Sequence, residues 1–346
     1  MGAEFNAFTD KENSCIYADF IDTHLDRCLE LLFDIILNPT FLPENIKTEK
    51  KVVYEEIKIT KDNPSDNIFN YFYKAIFSRH PLSLPILGTR QSVSGLRQKL
   101  ILDYFNDNYN CASIVIAATG NINHKELVSK IEKNIYGTRR KNSDLRKKYN
   151  FQKPETHSIK KIYKSKTKSA HLCYGGLGCS RKSKNRYALS LFTNILGGSI
   201  SSRLFQKIRE DLGLSYSIFA TNTQYTDTGV IAIYAASSPG NVYKILDIVD
   251  KEIQGIKRNG IKDAELKRAK ENTKGSIVLS VEDISSRMFR LGKGFLIDEK
   301  VLTIDEILKK IDKVKLSDIN EMVYKYFQPD KMSLVMIGAN NRGRLK

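Results

Sequence analysis

The sequence predicts an α+β protein made of two homologous domains, each a sandwich of mixed β-sheet and helices. Its 346 residues are enough for about two domains with separate hydrophobic cores. Pairs of strand-like segments alternate with pairs of helix-like segments, which favours this architecture over a doubly wound parallel sheet. A short internal echo supports a duplication: Tyr104-Phe105 is followed by an apolar run that ends in glycine and asparagine at 113–121, and Tyr326-Phe327 is followed by a similar run at 333–340.

Residues 1–136 are predicted to form the first domain. Two alternating runs, 3–9 and 14–19, predict a β-hairpin. The run 113–118 predicts a short buried strand. Apolar residues at helical spacing, bounded by proline, glycine or asparagine, predict helices over residues 23–37, 43–60, 65–78, 92–108 and 124–135.

The stretch 137–156 is rich in Lys, Arg, Asn and Ser and is predicted to be an interdomain linker. Residues 157–346 then form the second domain. Alternating apolar runs predict its strands near 158–164, 169–176, 215–223 and 229–236. Helical periodicity predicts its helices over 184–196, 200–211, 239–259, 262–281 and 283–296.

Composition narrows the class of partner. The net charge of +17 comes from 56 Lys+Arg against 39 Asp+Glu, but the lysines are scattered, so no nucleic-acid partner is expected. No apolar run approaches the ~18 residues of a membrane span, and no secretory signal opens the chain, so no membrane association is expected.

The five cysteines are odd in number and lack Cys-x-x-Cys spacing, which predicts reduced thiols and a cytoplasmic location.

Two acids on the predicted second helix are candidates for chemistry. Glu49 and Glu56 are seven residues apart, so two helical turns place both carboxylates on one face. Because Ile46 and Val53 lie on or near that face, the carboxylates are expected to point inward, where they need a partner or a metal. Surface charge among the neighbouring lysines explains the same spacing, so the spacing alone leaves both interpretations open.

The first quarter of the chain carries a long, ordered set of motifs. They are Gly2-Ala3-x-x-Asn6-Ala7-x-Thr9-x-x-Glu12, Cys15-x-Tyr17, Leu31-Leu32-x-Asp34-Ile35-x-x-Asn38-Pro39, Glu49-Lys50-x-Val52-Val53-x-Glu55-Glu56-Ile57 and Pro85-x-Leu87-Gly88. On these residues the chain resembles the pitrilysin/insulinase family of zinc peptidases, in the branch of mitochondrial processing peptidase and its bacterial relatives.

The resemblance implies a zinc cofactor. In that family, two histidines of an inverted H-x-x-E-H helix and a distant glutamate hold the zinc. By position, Glu56 resembles the distant metal ligand and Glu49 the acid that supports the catalytic site. No H-x-x-E-H occurs here; it would fall roughly two dozen residues before Met1, so the first domain is expected to be truncated at its N-terminus and the zinc site incomplete. No histidine present can replace the missing pair; the histidines are His24, His80, His124, His157 and His171.

The second half carries a further signature. It reads Leu196-Gly197-Gly198-x-x-Ser201-Ser202-Arg203-Leu204-Phe205-Gln206-x-Ile208-Arg209-Glu210-x-x-Gly213-Leu214-x-Tyr216-Ser217. The resemblance implies catalytic roles for Arg209 and Tyr216, which would bind the substrate carbonyl and help to stabilise the tetrahedral oxyanion. Without the family resemblance, the sequence is also compatible with Arg209 as a helix cap and with Tyr216 as a residue packed in the sheet.

The hairpin has an implied role as well. In relatives, the strand that corresponds to Asn6, Ala7 and Phe8 lies beside the zinc and pairs with the extended substrate, so the resemblance makes these residues substrate-binding. An ordinary core strand is the alternative.

The sequence therefore predicts a zinc-dependent endopeptidase that cleaves unfolded peptides, as a homodimer or a heterodimer with a family member. The 346-residue chain alone is expected to be inactive. The alternative is a non-catalytic family subunit, which either pairs with a zinc-bearing partner or serves as a structural subunit like the core proteins of the respiratory bc1 complex.

Overall fold

The computed structural model describes residues 2–110, 113–135, 154–155, 158–165 and 167–338. The chain divides into two compact units, each made of three stretches of sequence. The first unit consists of Met1–Ile57, Ile86–Asn150 and Leu279–Leu302, and the second of Lys58–Pro85, Phe151–Val278 and Thr303–Lys346. The mixture of helices and sheets confirms the α+β class. The predicted linker lies almost wholly outside the described residues, so the domain boundaries at 136 and 157 stay predictions.

Most helices follow the predicted pattern, but the helix predicted over 92–108 is broken in two, and the helices at 304–312 and 316–326 were not predicted. In chain order the helices are α1 (Leu25–Leu37), α2 (Pro43–Asp62), α3 (Pro64–Phe77), α4 (Arg90–Gly95), α5 (Gln98–Asn108), α6 (His124–Ile135), α7 (Arg186–Thr193), α8 (Val242–Asn259), α9 (Asp263–Ser280), α10 (Ile284–Asp298), α11 (Ile304–Asp312) and α12 (Leu316–Tyr326). π-helical segments occupy Asn194–Gly198 and Phe205–Asp211. Among the described residues, no helix has both the length and the apolar character that crossing a bilayer requires.

The strands are β1 (Glu4–Thr9), β2 (Ser14–Asp19), β3 (Lys160–Tyr163), β4 (Ala170–Gly178), β5 (Ser215–Gln224), β6 (Gly229–Ser237) and β7 (Ser333–Ile337). The prediction of a strand at 113–118 is wrong, because these residues form no regular structure and Ile116 is exposed. A strand needs a neighbour for its backbone N–H and C=O groups, and no described strand pairs with this segment. Of the two similar sequence runs, only the second, which begins at residue 333, therefore forms a strand, β7.

In the first unit, the predicted hairpin is confirmed: β1 pairs antiparallel with β2. Helix α10 packs against it. The ring of Phe289 makes edge-on contacts with Phe8 and Tyr17, at centroid distances of 5.4 and 5.1 Å. Lys293 Nζ donates a hydrogen bond to Asp10 Oδ2 at 2.8 Å. Aromatic contacts and an ion pair are thus among the interactions that hold the hairpin to a helix that comes from far along the sequence.

The second unit is built on a five-stranded sheet in the order β3-β7-β4-β6-β5. β3 and β7 are parallel, and all the other neighbours are antiparallel. Successive residues of β6 alternate between two cores: Ile231 and Ile233 face the core formed with α7, α8 and α12, whereas Ala232 and Tyr234 face the opposite core. The sheet is therefore buried on both faces, which explains the nearly unbroken apolar run of β6.

Helix α3 covers the second face of this sheet, although it is encoded in the first quarter of the chain. Phe72 and Phe77 are fully buried there. The Tyr71 ring stacks on the Tyr163 ring of β3 at 3.8 Å. Residues from the predicted first domain thus complete the hydrophobic core around the sheet of the second unit.

The described cysteines form no disulfide; they are Cys15, Cys28, Cys173 and Cys179. Cys28, Cys173 and Cys179 are buried, and burial raises the pKa of the Cys173 thiol well above its ordinary value. These thiols are therefore protonated members of the core. The cytoplasmic location stays a prediction.

Candidate functional site

The acids of α2 do not point inward, which corrects the sequence prediction. Glu49 and Glu56 are exposed, and α2 has no fully buried residue. The half-buried stripe of this helix runs through Lys50, Val53 and Ile57. Each glutamate precedes a member of that stripe by one residue, which is a rotation of about 100° on a helix with 3.6 residues per turn. The two carboxylates therefore lie beside the half-buried face and not within it.

The described residues do not fit a zinc ion. Among them, no group of three or more His, Cys, Asp or Glu side chains could hold a metal. A zinc site needs three or four such ligands, and Glu56 supplies one carboxylate at an exposed position. His80, the most buried of the described histidines, accepts a hydrogen bond from the backbone N–H of Leu82 and belongs to a turn. His157 lies outside the described residues.

The proposed substrate strand is placed on the surface. Asn6, Ala7 and Phe8 are all exposed on β1, so they do not form a core strand. The Asn6 side chain accepts a hydrogen bond from the backbone N–H of Ala7 at 2.8 Å. Among the described strands, β1 pairs only with β2, which leaves its outer edge unpaired.

Arg209 and Tyr216 lie side by side in the second unit. The guanidinium carbon of Arg209 is 4.7 Å from the centroid of the Tyr216 ring, within the range of a cation–π contact. The same carbon lies 4.8 Å from the centroid of the Phe205 ring. The Arg209 side chain is 37% exposed, and its Nε is 3.8 Å from a carboxylate oxygen of Glu210. Tyr216 is 84% exposed, so the pair is open to solvent.

A tight turn brings the two residues together. The π-helix Phe205–Asp211 is followed two residues later by Gly213, which adopts φ +56°, a conformation that glycine tolerates best. The N–H of Gly213 donates to the carbonyl of Arg209, and the N–H of Leu214 donates to that of Ile208. These bonds fold the chain back, so that β5 begins next to the end of the helix.

A β-bulge then turns Tyr216 outward. Ser215 pairs with Ser237 and Ser217 with Ala236, so Tyr216 is the extra residue between two consecutive rungs of the β5–β6 ladder. A bulge of this kind re-aims a side chain and is common beside functional sites. Tyr216 is therefore not packed in the sheet, which removes that sequence alternative.

Buried groups anchor the π-helix. Leu204 and Ile208 are fully buried, and Arg203 makes a two-pronged ion pair with Glu265 of α9, with N–O distances of 2.7 and 2.8 Å. Burial raises the pKa of the Glu265 carboxyl, but the hydrogen bonds from Arg203 and from the N–H of Lys262 outweigh burial and hold this pKa below its ordinary value. The helix that carries Arg209 is thus fixed at its start and along its buried face.

A shallow depression of about 440 Å³ opens beside Tyr216. Its wall mixes apolar residues, among them Leu214 and Ala236, with short polar ones such as Ser215, Ser237 and Asn241. It contains no charged side chain among its lining residues. Sequence reasoning found Arg209 and Tyr216 but missed the Phe205 contact, although a Phe–Arg spacing of four residues on a helix indicates one.

Comparison with known proteins places the chain in a family. The profile described as "Insulinase (Peptidase family M16)" matches residues 1–90, and the profile "Peptidase M16 inactive domain" matches residues 96–273. The chain is 36% identical over 332 residues to "Uncharacterized zinc protease YmxG" of Bacillus subtilis, covering 95% of this chain and 80% of that protein. It is 32% identical to an uncharacterized zinc protease of Mycobacterium leprae, covering 94% of this chain and 73% of that protein.

Solved structures show the same fold. A protease from Helicobacter pylori superposes with a TM-score of 0.86 at 19% identity and covers 97% of this chain and 82% of its own. A peptidase M16 inactive domain from Pseudomonas fluorescens superposes with a TM-score of 0.84 at 17% identity, with coverages of 99% and 82%. The two family profiles and the 36% identity to a relative named as a zinc protease establish that this chain belongs to peptidase family M16, the insulinase family.

Proposed function

We propose that this protein acts in the zinc-dependent cleavage of unfolded peptides and that Arg209 and Tyr216 bind the substrate. The observation that carries the proposal is the exposed contact between the Arg209 guanidinium and the Tyr216 ring, built by a helix end, a glycine turn and a bulge. The relatives named as zinc proteases support the class of reaction.

The chemistry of the pair suits a peptide carbonyl. Guanidinium and phenol groups donate hydrogen bonds, and a carbonyl oxygen accepts them. When a nucleophile adds to the carbonyl, its oxygen gains negative charge, so the same donors bind the tetrahedral intermediate more strongly than the ground state. One such donor contributes about 3 kcal/mol to a typical hydrolytic transition state. The uncharged depression beside Tyr216 leaves room for neighbouring parts of the peptide.

The hairpin offers a second contact. An extended peptide can add to an unpaired sheet edge through main-chain hydrogen bonds, which give affinity with little demand on sequence. β1 carries Asn6, Ala7 and Phe8 at such an edge. We assign these residues to peptide binding within the same proposal.

The metal centre needs ligands from outside the described residues. Glu56 is the residue of this chain that we propose as a zinc ligand, and the rest of the site has to come from elsewhere in the same polypeptide or from a partner chain. A homodimer and a heterodimer with another family member both meet this need.

Protein isolated from its own cells, with substitutions made in its gene, tests the proposal. We expect about one zinc ion per chain and cleavage of a quenched unfolded peptide that a chelator abolishes. Glu56→Gln should lose both the zinc and the cleavage. Arg209→Gln should keep the zinc but cleave about 10²- to 10³-fold more slowly. The matched control Glu44→Gln removes another exposed carboxylate of α2 and should change neither. Cleavage by Arg209→Gln at the unsubstituted rate would refute the proposal.

A non-catalytic subunit is the second candidate function. It is favoured by the lack of a three-ligand group among the described residues. In that case the zinc should purify with a different family chain, and Glu56→Gln should alter neither zinc content nor cleavage. Arg209→Gln should still slow the cleavage, because the chain would contribute its substrate-binding pair to the partner's site.

A further inference from the structure

We infer that Phe205 is the positioning residue that holds the Arg209 guanidinium beside Tyr216, and so keeps its N–H donors in place for a bound peptide. The inference rests on the proposed role of Arg209 in substrate binding. Phe205 would not touch the substrate; it would act through Arg209.

The contact has the geometry of a stabilising interaction. The guanidinium carbon of Arg209 lies 4.8 Å from the Phe205 centroid and 4.7 Å from the Tyr216 centroid. Both distances are within the ~6 Å over which a cation is attracted to the face of an aromatic ring. A planar guanidinium against a ring face still exposes its edge, where the N–H donors lie. Contact with the rings therefore leaves these donors able to bind an acceptor.

Of the two rings, Phe205 is the better fixed. It is half-buried and stands one helical turn before Arg209 on the same helix. The residue before it, Leu204, is fully buried, as is Ile208, and the two hold the backbone of this turn. Tyr216 is 84% exposed, and its ring contacts the Arg209 guanidinium. Phe205 thus restricts the Arg209 side chain, and Arg209 in turn packs against the ring of Tyr216.

Glu210 is the competing neighbour. Its carboxylate oxygen lies 3.8 Å from Arg209 Nε, and its side chain is 52% exposed. An ion pair so open to water orders a long side chain only weakly. Without the Phe205 ring, Arg209 would divide its time between Glu210 and solvent, and Tyr216 would lose its neighbour for part of that time.

Two variants of Phe205 separate a ring effect from a packing effect. Phe205→Leu keeps an apolar side chain but removes the ring face, whereas Phe205→Tyr keeps the face. With a fluorescent, unfolded peptide, we expect Phe205→Leu to weaken binding about two- to fivefold, the range of an exposed cation–π contact. Phe205→Tyr should restore the unsubstituted affinity, and Arg209→Gln should weaken binding more than Phe205→Leu. Equal melting temperatures of the variants would show that the fold is intact.

The side-chain Nε–Hε signal of Arg209 reports the contact independently of any peptide. In a ¹H–¹⁵N spectrum, assigned through its loss in Arg209→Gln, this signal should move when Phe205→Leu removes the ring current, and Phe205→Tyr should return it towards its original position. An unmoved signal in Phe205→Leu would overturn the inference. So would unchanged peptide binding by Phe205→Leu in an assay where Arg209→Gln binds weakly.

The same data distinguish the inference from the proposal on which it rests. If Arg209→Gln binds peptide as tightly as the unsubstituted protein, the proposed function fails, and any role of Phe205 in recognition fails with it. The Nε–Hε signal then decides only whether Phe205 holds Arg209.

Discussion

The two units bury their apolar residues to different degrees. In the second unit, helices cover both faces of the sheet, and Ile231, Ile233 and Phe72 are almost entirely inaccessible to solvent. In the first unit, the separate core between α1 and α6 is small, and large apolar side chains such as Leu100 and Tyr104 are exposed. The Arg209–Tyr216 pair therefore belongs to a tightly packed unit, whereas Glu56 and the strand β1 belong to a unit whose described residues are more loosely packed.

The largest loss of unfolding free energy should come from removing a buried side chain from the core beneath α3. Phe72→Ala removes a fully buried ring from the second unit and should cost about 3–5 kcal/mol of unfolding free energy. The matched change Phe33→Ala, in the small core of the first unit, should cost less because fewer groups surround that ring. Urea unfolding followed by circular dichroism gives both values. Equal losses would show that the two units are equally well packed.

Removing the ion pair between Arg203 and Glu265 at the start of the π-helix should lower the unfolding free energy by a smaller amount. Arg203→Ala removes the two hydrogen bonds to Glu265 and should cost about 1.5–3 kcal/mol, the range for hydrogen bonds to a charged group. Because the pKa of Glu265 is lower in the folded chain than its ordinary 4.5, the ion pair stabilises the fold above that pH. This stabilisation should disappear as the pH falls through the lowered pKa. Unfolding curves of Glu265→Gln and the unsubstituted protein should therefore converge in acid, and a constant difference down to pH 2 would contradict this account.

Within the second unit, the same glycine-to-alanine substitution should have opposite effects on stability at Gly213 and at Gly255. Gly213→Ala places a Cβ at φ +56° and should cost about 1–2 kcal/mol, the penalty for a left-handed residue with a side chain. Gly255→Ala is the matched control, because this glycine lies inside α8 and a Cβ there meets no atom within 4 Å. It should stabilise the protein by about 0.5–1 kcal/mol. The same substitution should thus shift the melting temperature in opposite directions at the two sites.

The smallest effect should come from the ion pair that ties the hairpin to α10. Lys293→Met removes the hydrogen bond to Asp10 at a partly exposed site, so the cost should be about 0–1 kcal/mol. The aromatic contacts of Phe289 with Phe8 and Tyr17 should keep the hairpin in place. Amide hydrogen exchange of β1 should therefore rise only slightly in Lys293→Met and clearly in Phe289→Ala. The reverse order would mean that charge, and not ring packing, holds the hairpin.

Local patterns in the sequence predicted most of the secondary structure, because strand alternation and helical spacing depend on near neighbours. They could not predict which sheet α3 would cover, since an amphipathic face indicates burial but not its partner. The strand at 113–118 failed because a strand depends on a neighbour that the pattern does not specify. The inward placement of Glu49 and Glu56 failed because a shift of one residue turns a helix by about 100°.

The pair Arg209 and Tyr216 was found through a family signature and not through its geometry. The spacing of seven residues gives no hint that a glycine turn and a bulge bring the two side chains to a distance of 4.7 Å from guanidinium carbon to ring centroid. The bulge in particular arises from the pairing of β5 with β6, which the residues around Tyr216 do not encode by themselves.

The peptide affinities of Arg209→Gln and Arg258→Gln test most directly whether Arg209 binds the substrate. Both changes remove one positive charge, and Arg258 is an exposed residue in the last turn of α8. Fluorescence anisotropy with an unfolded peptide should show binding about tenfold weaker or more in Arg209→Gln, the loss of a charged hydrogen bond. Arg258→Gln should bind like the unsubstituted protein. Equal affinities of the two variants would show that Arg209 does not bind the peptide.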